Sequence, residues 1–290
     1  MSNVQLQSNW TVIPQVRAME TTVYGVKTHY STAGHGNPII FVHGGGPGAS
    51  GASGWAQTIP ALAPHFRVYA IDLLGSGYTD KPMIEYSFQT LVEHLAGFID
   101  TLNLGKVRLL GNSQGAYVVA KYALDNPTRV SHLGLISSGT IATACDIPDG
   151  EREALPRFDG TEQSVRNFLE VILKDKSKIT KELVTARFEV AAAPGHREML
   201  QSIQRYRKVT KENAAQRQLW YLRDRLPQLP MPMCMIWGRE DRSAPLEPMG
   251  LGLKALLPNV PFHVIEGAGH QVQNDKPDEC NRILVDFFTK

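Results

Sequence analysis

The stretch VRLLGNSQGAYVVAKYALD, residues 107–125, decides the fold of this chain. It opens with the mostly apolar residues 107–110, which are typical of a strand buried on both faces. Ser113 follows between two glycines, and from there apolar residues recur at helical spacing as far as Asn126. A strand, a sharp turn and a helix in this order predict that the Ser113 hydroxyl stands above the edge of a sheet. A serine between two turn glycines also arises by chance, but its position after a buried strand makes that alternative the weaker one.

Short apolar runs alternate with segments of helical period along most of the chain, which indicates an α/β fold with a mostly parallel central sheet flanked by helices. The predicted buried strands comprise residues 39–42, 67–71, 107–110, 132–136, 233–237 and 262–265. A hairpin through Gly25 is predicted to precede them, with strands at residues 21–24 and 26–31. The main helices are predicted at residues 88–102, 114–126 and 278–288, the first of them capped by Ser87.

Residues 141–225 interrupt this alternation, because they are rich in charged residues and helix formers and contain no convincing apolar strand. Their composition predicts a helical insertion after the sixth strand, where a lid over a site would lie. We therefore expect two units. Residues 1–140 and 226–290 form the core, and residues 141–225 form a helical lid, called the lid segment below.

The carboxyl ends of parallel strands meet at the sheet edge where ligands bind, so residues directly after each predicted strand are candidates for a site. The stretch HGGGPG, residues 43–48, follows one of these strands. Its backbone N–H groups can bind a developing negative charge together with the N–H of the residue after the serine. We assign these roles to Gly45 and Gln114. The stretch lacks the spacing and the lysine of a phosphate-binding loop.

A catalytic serine needs a histidine base, and the histidine needs a carboxylate that orients its ring and stabilises its charge. His270 follows the last predicted strand, whereas the other histidines follow no late strand of the sheet. Asp241 follows the preceding strand and is the preferred acid, and the adjacent Glu240 is the alternative. The order Ser113, Asp241, His270 is the one that the α/β-hydrolase fold requires. The sequence therefore predicts this fold and a catalytic triad of these three residues.

With these motifs in place, the chain resembles the meta-cleavage product hydrolases, the carbon–carbon hydrolases of aromatic ring degradation within the α/β-hydrolase superfamily. The resemblance rests on segments spread over nearly the whole chain: HGGGPGAS (43–50), DLLGSGYTDKP (72–82), GNSQG (111–115), ITKELVTARFE (179–189), WGREDRSAP (237–245) and GAGH (267–270). It implies a substrate of the 2-hydroxy-6-oxo-hexa-2,4-dienoate type. The group at its 6-oxo end stays open, as does the choice between an acyl-enzyme and direct attack by water.

The resemblance also implies substrate contacts. Arg187 is expected to bind and polarise the dienoate end, since an arginine can grip a carboxylate with two hydrogen bonds. Asn112 is expected to contact the same end, and Gly44 lies beside the expected oxyanion donors. Gln57 stands where an amide often contacts substrate in this family, although the loop before it carries a few extra residues.

The chain departs from the family at two positions. Gln271 replaces the Trp that commonly follows the catalytic histidine, and Gln114 replaces an apolar residue after the nucleophile. Both changes predict a more polar pocket wall, with Gln271 as a further substrate contact. An ester or lactone hydrolase with the same triad is the alternative function, because this machinery serves either bond. A binding protein that keeps the triad but mainly senses a ligand ranks third.

Composition excludes several other classes. A formal net charge of +2 with scattered basic residues argues against a nucleic-acid partner, and no apolar run is long enough to cross a bilayer. The three cysteines match neither a disulfide framework nor a metal site, and the first residues carry no secretory signal. We expect a cytoplasmic enzyme that acts on a small molecule without metal or cofactor. Assembly into a homo-oligomer stays open.

Overall fold

The structure is a computed structural model that describes residues 15–290. The expectation that the chain has no secretory signal falls almost entirely outside the described residues. The strands, in chain order, are β1 (Arg17–Val23), β2 (Val26–Ala33), β3 (Pro38–Val42), β4 (Arg67–Ile71), β5 (Val107–Asn112), β6 (Val130–Ile136), β7 (Met233–Gly238) and β8 (Phe262–Ile265). Every predicted strand is thus confirmed, with shifts at the ends. The largest shift is in β1, which is mostly exposed and therefore shows little apolar patterning before residue 21.

These strands form one eight-stranded sheet in the order β1-β2-β4-β3-β5-β6-β7-β8. Strands β1 and β2 form the predicted antiparallel hairpin, and β2 also runs antiparallel to β4. From β4 to β8 all pairs are parallel. The carboxyl ends of β3, β5, β6, β7 and β8 therefore meet at one edge of the sheet, which places the candidate site residues on the same side.

The α-helices within residues 15–290 are α1 (Gly51–Trp55), α2 (Ile59–Leu62), α3 (Phe88–Thr101), α4 (Gln114–Asp125), α5 (Gly139–Ala144), α6 (Glu162–Ile172), α7 (Lys181–Ala191), α8 (His196–Glu212), α9 (Ala214–Trp220), α10 (Leu251–Leu256), α11 (Val272–Asp275) and α12 (Pro277–Phe288). The three helices predicted individually correspond to α3, α4 and α12. Helices α1, α2 and α11 are four or five residues long, too short for a helical period to be recognised in sequence.

Helix α4 is enclosed by the rest of the protein and fixes the position of Ser113 at its start. Ten of its twelve residues are buried, and it packs against α3 as well as the sheet. Helix α3 begins at a capping box, in which the Ser87 side chain accepts from the Thr90 N–H and the Thr90 side chain accepts from the Ser87 N–H. On the other face of the sheet, α1, α2 and α12 cover an apolar cluster that contains Phe41 and Trp55.

Between β6 and β7, at residues 137–232, the chain forms helices α5 to α9 and no strand. Helices α6 and α7 share a small apolar cluster of their own, which includes Val165, Leu169 and Leu183. Their first turns are capped by Thr161 and Thr180, whose hydroxyls accept backbone N–H bonds. The helical character predicted for this region is therefore present, with part of its packing independent of the main core.

All three cysteines are buried and carry free thiols. Across residues 15–290, no helix has both the length and the apolar content that crossing a bilayer requires.

Candidate active site

Ser113 lies at the sharp turn between β5 and α4, as the sequence predicts. Its backbone has φ 56° and ψ −117°, a conformation that is strained for a residue with a side chain. The Ser113 N–H donates to the carbonyl of Ile136 on β6 at 2.9 Å. This bond, together with the buried helix that follows, holds the turn in place so that its strain persists.

The two glycines of the turn are required by close backbone contacts. A Cβ on Gly115 would lie 2.2 Å from the carbonyl oxygen of Val42, and one on Gly111 would lie 2.5 Å from that of Gly115. Neither position has room for a side chain. The strand end, the turn and the first turn of α4 therefore pack backbone against backbone, which the G-x-S-x-G spacing allows.

The glycine-rich loop after β3 lies directly against this turn. A Cβ on Gly44 would lie 3.2 Å from the Cβ of Ser113, and one on Gly45 would lie 3.0 Å from Oε1 of Gln114. The N–H groups of Gly45 and Gln114 donate to no other group in the described part of the chain. The Gln114 N–H is also the first of α4, where the helix dipole favours negative charge. These two amides can therefore stabilise an oxyanion beside Ser113.

His43 braces the glycine-rich loop from inside. Its Nδ1 lies 2.7 Å from the carbonyl oxygen of Gly44, and its Nε2 accepts from the Leu73 N–H at 3.1 Å. The ring therefore donates through Nδ1 and is neutral. Burial accordingly lowers the pKa of His43, so the loop keeps this brace at neutral pH.

Asp241 and His270 form the hydrogen bond that a triad requires. The Nδ1 atom of His270 lies 2.8 Å from Oδ2 of Asp241, and both side chains are buried. The other carboxylate oxygen of Asp241 accepts from the N–H groups of Ser243 and Ala244 at 2.9 and 2.7 Å. Asp241 is thus fixed by its own loop, and it leaves Nε2 of His270 as the atom available to a proton from a nucleophile.

The loop of His270 is tied to the lid segment. The His270 N–H donates to the carbonyl of Ile172, the last residue of α6, at 2.9 Å. The carboxylate of Asp275 accepts from the N–H of Gly269 and from the N–H groups of Lys174 and Asp175. These hydrogen bonds join the histidine loop to the end of α6.

Ser113 and His270 open into a single cavity of about 420 Å³, a size in the range of small-molecule sites. No hydrogen bond joins their side chains within residues 15–290; catalytic contacts of this kind often tighten only when substrate binds. The cavity walls come from the glycine-rich loop, the turn at Ser113, the His270 loop and the lid segment, including α6 and α8. Residues of α6 and α8 therefore form part of the cavity wall.

Of the predicted substrate contacts, Gly44, Asn112 and Gln271 line this cavity. The Asn112 amide donates to the carbonyls of Ile136 and His270 at 3.3 and 3.1 Å. It therefore also positions the histidine backbone.

Arg187 and Gln57 do not line the cavity. Arg187 is 2% exposed, and its guanidinium donates two hydrogen bonds to the carbonyl of Pro47. Burial lowers its pKa to about 10, so it still carries its charge behind the wall formed by Pro47 and Phe168. The prediction for Gln57 is corrected: the extra loop residues form α1, after which Gln57 is exposed and its carbonyl accepts from Asn281 of α12.

Phe168 and Arg207 are among the cavity residues that the sequence did not predict. Phe168 on α6 packs against the glycine-rich loop, since a Cβ on Gly46 would lie 2.2 Å from its ring. Arg207 on α8 lines the cavity and donates to the side chain of Gln114 at 3.2 Å. Both belong to the lid segment, where many charged or apolar residues follow a helical period, and no local signal distinguishes them from their neighbours.

Among the described side chains, no group of three or more His, Cys, Asp or Glu residues is arranged to hold a metal ion. The site brings together a serine, a histidine paired with an aspartate, and two backbone amides.

The model of the α/β hydrolase fold family matches residues 37–277. A 2-hydroxy-6-oxo-2,4-heptadienoate hydrolase from Pseudomonas putida is 31% identical, with 91% of this chain and 93% of the relative covered. A 2-hydroxy-6-oxononadienedioate/2-hydroxy-6-oxononatrienedioate hydrolase from Burkholderia vietnamiensis is 32% identical, with 91% and 92% covered. Among solved structures, a meta-cleavage product hydrolase from Pseudomonas fluorescens is similar at 30% identity and a TM-score of 0.76, with 93% of this chain and 97% of that chain covered. With its triad-like geometry at the strand ends, this chain belongs to the α/β-hydrolase family and, within it, to the meta-cleavage product hydrolases.

Proposed function

We propose that this enzyme hydrolyses a carbon–carbon bond of a 2-hydroxy-6-oxo-hexa-2,4-dienoate formed by meta-cleavage of an aromatic ring. The observation that carries the proposal is the pairing of His270 with Asp241 beside a cavity that Ser113 also lines, together with two backbone amides that donate to no other described group. The names of the relatives support the substrate class, because each of those compared acts on a dienoate of this type.

Ser113, His270 and Asp241 form the catalytic triad in this proposal. The dienol is first converted to its keto form, which places a proton on C5. Ser113 then acts at the C6 carbonyl while the amides of Gly45 and Gln114 bind the resulting oxyanion. When the bond between C5 and C6 breaks, its electron pair flows to the C2 carbonyl, which becomes a hydroxyl. One water is consumed, and its oxygen enters the carboxylic acid formed from C6; the other product is a 2-hydroxypenta-2,4-dienoate.

Arg187 assists this electron flow from behind the cavity wall. Its buried positive charge lies against Pro47 of the glycine-rich loop and 5.8 Å from the ring centre of Phe168, and no carboxylate pairs with it among the residues from 15 onwards. A charge in so dry a setting acts over several ångströms. It therefore favours negative charge on the dienoate, and its two bonds to Pro47 hold the loop that carries Gly45.

The lid segment, residues 141–225, is proposed to be a separate unit that closes the site over the core. Helix α6 supplies Phe168 to the cavity wall and also holds the His270 backbone through Ile172. Closure of such a cover excludes water and commits the substrate. We also place the enzyme in the cytoplasm, where its three buried thiols stay reduced.

The test is spectroscopic, because the ring-fission product is coloured and its cleavage products are not. We expect the purified protein to bleach a 2-hydroxy-6-oxo-dienoate and release one carboxylic acid per substrate. An assay on p-nitrophenyl esters serves as the comparison, since the same triad can cleave esters. Fast ester hydrolysis without bleaching would identify an esterase instead.

A further inference from the structure

Arg207 on α8 is a charged side chain inside the cavity that the proposed reaction does not use. Its Nη2 atom donates to Oε1 of Gln114 at 3.2 Å, and its guanidinium lies over the ring of Phe88 at 5.2 Å. These contacts hold the arginine next to the residue that follows the nucleophile. They also give a role to the polar side chain of Gln114, which stands where the family usually has an apolar residue.

The charge of Arg207 is not balanced by the protein. It forms no ion pair with a carboxylate in the described part of the chain, and its Nε–H is shielded without a hydrogen-bond partner. Burial, with the charge of Arg152 as a second cause, lowers the pKa of Arg207 to about 10, so the side chain remains protonated at neutral pH. An arginine kept charged without an anionic partner is costly, and an anionic ligand would remove that cost.

The other charged side chains that line the cavity are also positive. Arg157 and Lys208 also line it toward the solvent-exposed rim, as does Arg152, which pairs with Asp149. No Asp or Glu is among the lining residues of the structure as described. An anion entering from the rim therefore meets positive charge along its path, which raises its local concentration.

We propose that the substrate carries a second carboxylate on its acyl side, beyond the 6-oxo group, and that Arg207 binds it. This inference rests on the proposed function and specifies its substrate class as dicarboxylates. A planar guanidinium suits a carboxylate, which it can engage with two parallel hydrogen bonds.

Arg187, behind the cavity wall, and Arg207, inside the cavity, serve opposite ends of the substrate in this proposal because they contact different parts of the site. Arg187 contacts Pro47 and Phe168, on the wall made by the glycine-rich loop and α6. Arg207 lines the cavity beside Gln114, the first residue of α4, and its guanidinium lies over Phe88. The glycine-rich loop and Gln114 both adjoin Ser113, so we assign Arg187 to the dienoate and Arg207 to the acyl group. Hydrolysis would then release a dicarboxylic acid, with one carboxylate carried over and one formed from C6.

The test compares two substrates of equal chain length, 2-hydroxy-6-oxonona-2,4-dienedioate and the uncharged-chain analogue 2-hydroxy-6-oxonona-2,4-dienoate. We expect the wild-type enzyme to prefer the dioate by about 10- to 100-fold in kcat/KM, the size of a hydrogen-bonded charge interaction. Arg207→Met should abolish the preference by lowering kcat/KM for the dioate alone, and Arg207→Lys should retain part of it.

Arg205→Met is the matched control. Arg205 lies two residues away on the same helix, is exposed, and pairs with Glu85, so its removal should leave the preference intact. Equal losses on both substrates in Arg207→Met would overturn the inference, and so would a wild-type enzyme without preference. The wild-type comparison needs no variant, so a folding defect in Arg207→Met does not weaken the test. If wild-type enzyme bleaches neither compound, the proposed function itself is wrong.

Discussion

Nδ1 of His270 lies 2.8 Å from Oδ2 of Asp241, whereas the neighbouring Glu240 makes no hydrogen bond to the histidine. The two acids are adjacent in sequence, and both follow β7. Only Asp241 is turned toward the histidine, because its second oxygen is held by the N–H groups of Ser243 and Ala244. The pair gives a direct way to test the triad with two nearly identical substitutions.

Asp241→Asn should lower kcat by about 10⁴-fold, because the amide can no longer hold the histidine in the required tautomer. Bleaching of a ring-fission product at pH 7 measures the effect. Glu240→Gln is the matched control and should keep near wild-type turnover. The opposite ranking of the two variants would assign the acid to Glu240.

Ser113→Ala should lower turnover by up to ~10⁶-fold, by analogy with the removal of a nucleophile from another serine hydrolase. The fold should survive, since the hydroxyl is not used in any hydrogen bond of the described residues. Circular dichroism checks the fold and single-turnover bleaching checks the chemistry. Near-full activity on every substrate would disprove the triad.

Arg187→Gln should lower both stability and activity. The substitution removes charge-assisted hydrogen bonds to Pro47 inside a buried site, which costs about 1–3 kcal/mol of unfolding free energy. It also releases the loop that carries Gly45, so kcat should fall with it. Urea unfolding and bleaching assays measure the two effects. Glu189→Gln, an exposed change on the same helix, should alter neither; unchanged kcat in Arg187→Gln would separate this arginine from catalysis.

Because the ring of His196 is buried and neutral, we expect the free energy of unfolding to fall in acid. Its Nε2 accepts from the Gly48 N–H, and its Nδ1 lies 3.2 Å from the carbonyl of Gly75, so the ring is neutral in the folded protein. Burial lowers its pKa to about 4. The unfolded chain therefore takes up the proton first as the pH falls below ~6.5, and stability present above that pH is lost progressively down to about 4, by up to about 3 kcal/mol.

Denaturant unfolding of the wild type at pH 7.5 and pH 5 measures this loss. His94, whose pKa burial also lowers to about 4, contributes in the same direction. His196→Gln should therefore show a smaller decrease between the two pH values, whereas the exposed His35→Gln should show the wild-type decrease. Identical pH dependence in His196→Gln and wild type would contradict the assignment.

The fold could be predicted, and a triad at the strand ends proposed, because the signals for both are local. Each strand from β3 to β8 contains a short apolar run, and parallel strands bring their carboxyl ends to one edge whatever lies between them. Ser113, Asp241 and His270 each follow such a run, so topology alone brings them to one side of the sheet. The close contacts of Gly111 and Gly115 likewise follow from a motif that has one backbone solution.

The cavity wall could not be predicted in this way. Gln57 was expected in contact with substrate, but the residues before it fold into α1 and leave it on the surface. The family resemblance predicts that Arg187 binds the dienoate, yet its guanidinium donates to the carbonyl of Pro47 behind the cavity wall. For Gln57, the deciding element is a helix too short to recognise in sequence. For Arg187, the deciding contact is with Pro47, which is distant in sequence.

Arg205 and Arg207 show the limit of what can be predicted from the sequence. In the run RYRKV they are chemically identical and two residues apart, and the amino-acid sequence alone assigns them the same exposed helix. Sequence determined the sheet, the strand-end residues and the class of chemistry, because these depend on local pattern and topology. Tertiary structure decided that Arg207 enters the cavity beside Gln114 while Arg205 stays outside with Glu85, because the surroundings of each arginine come from residues distant in sequence, such as Phe88, which lies under Arg207.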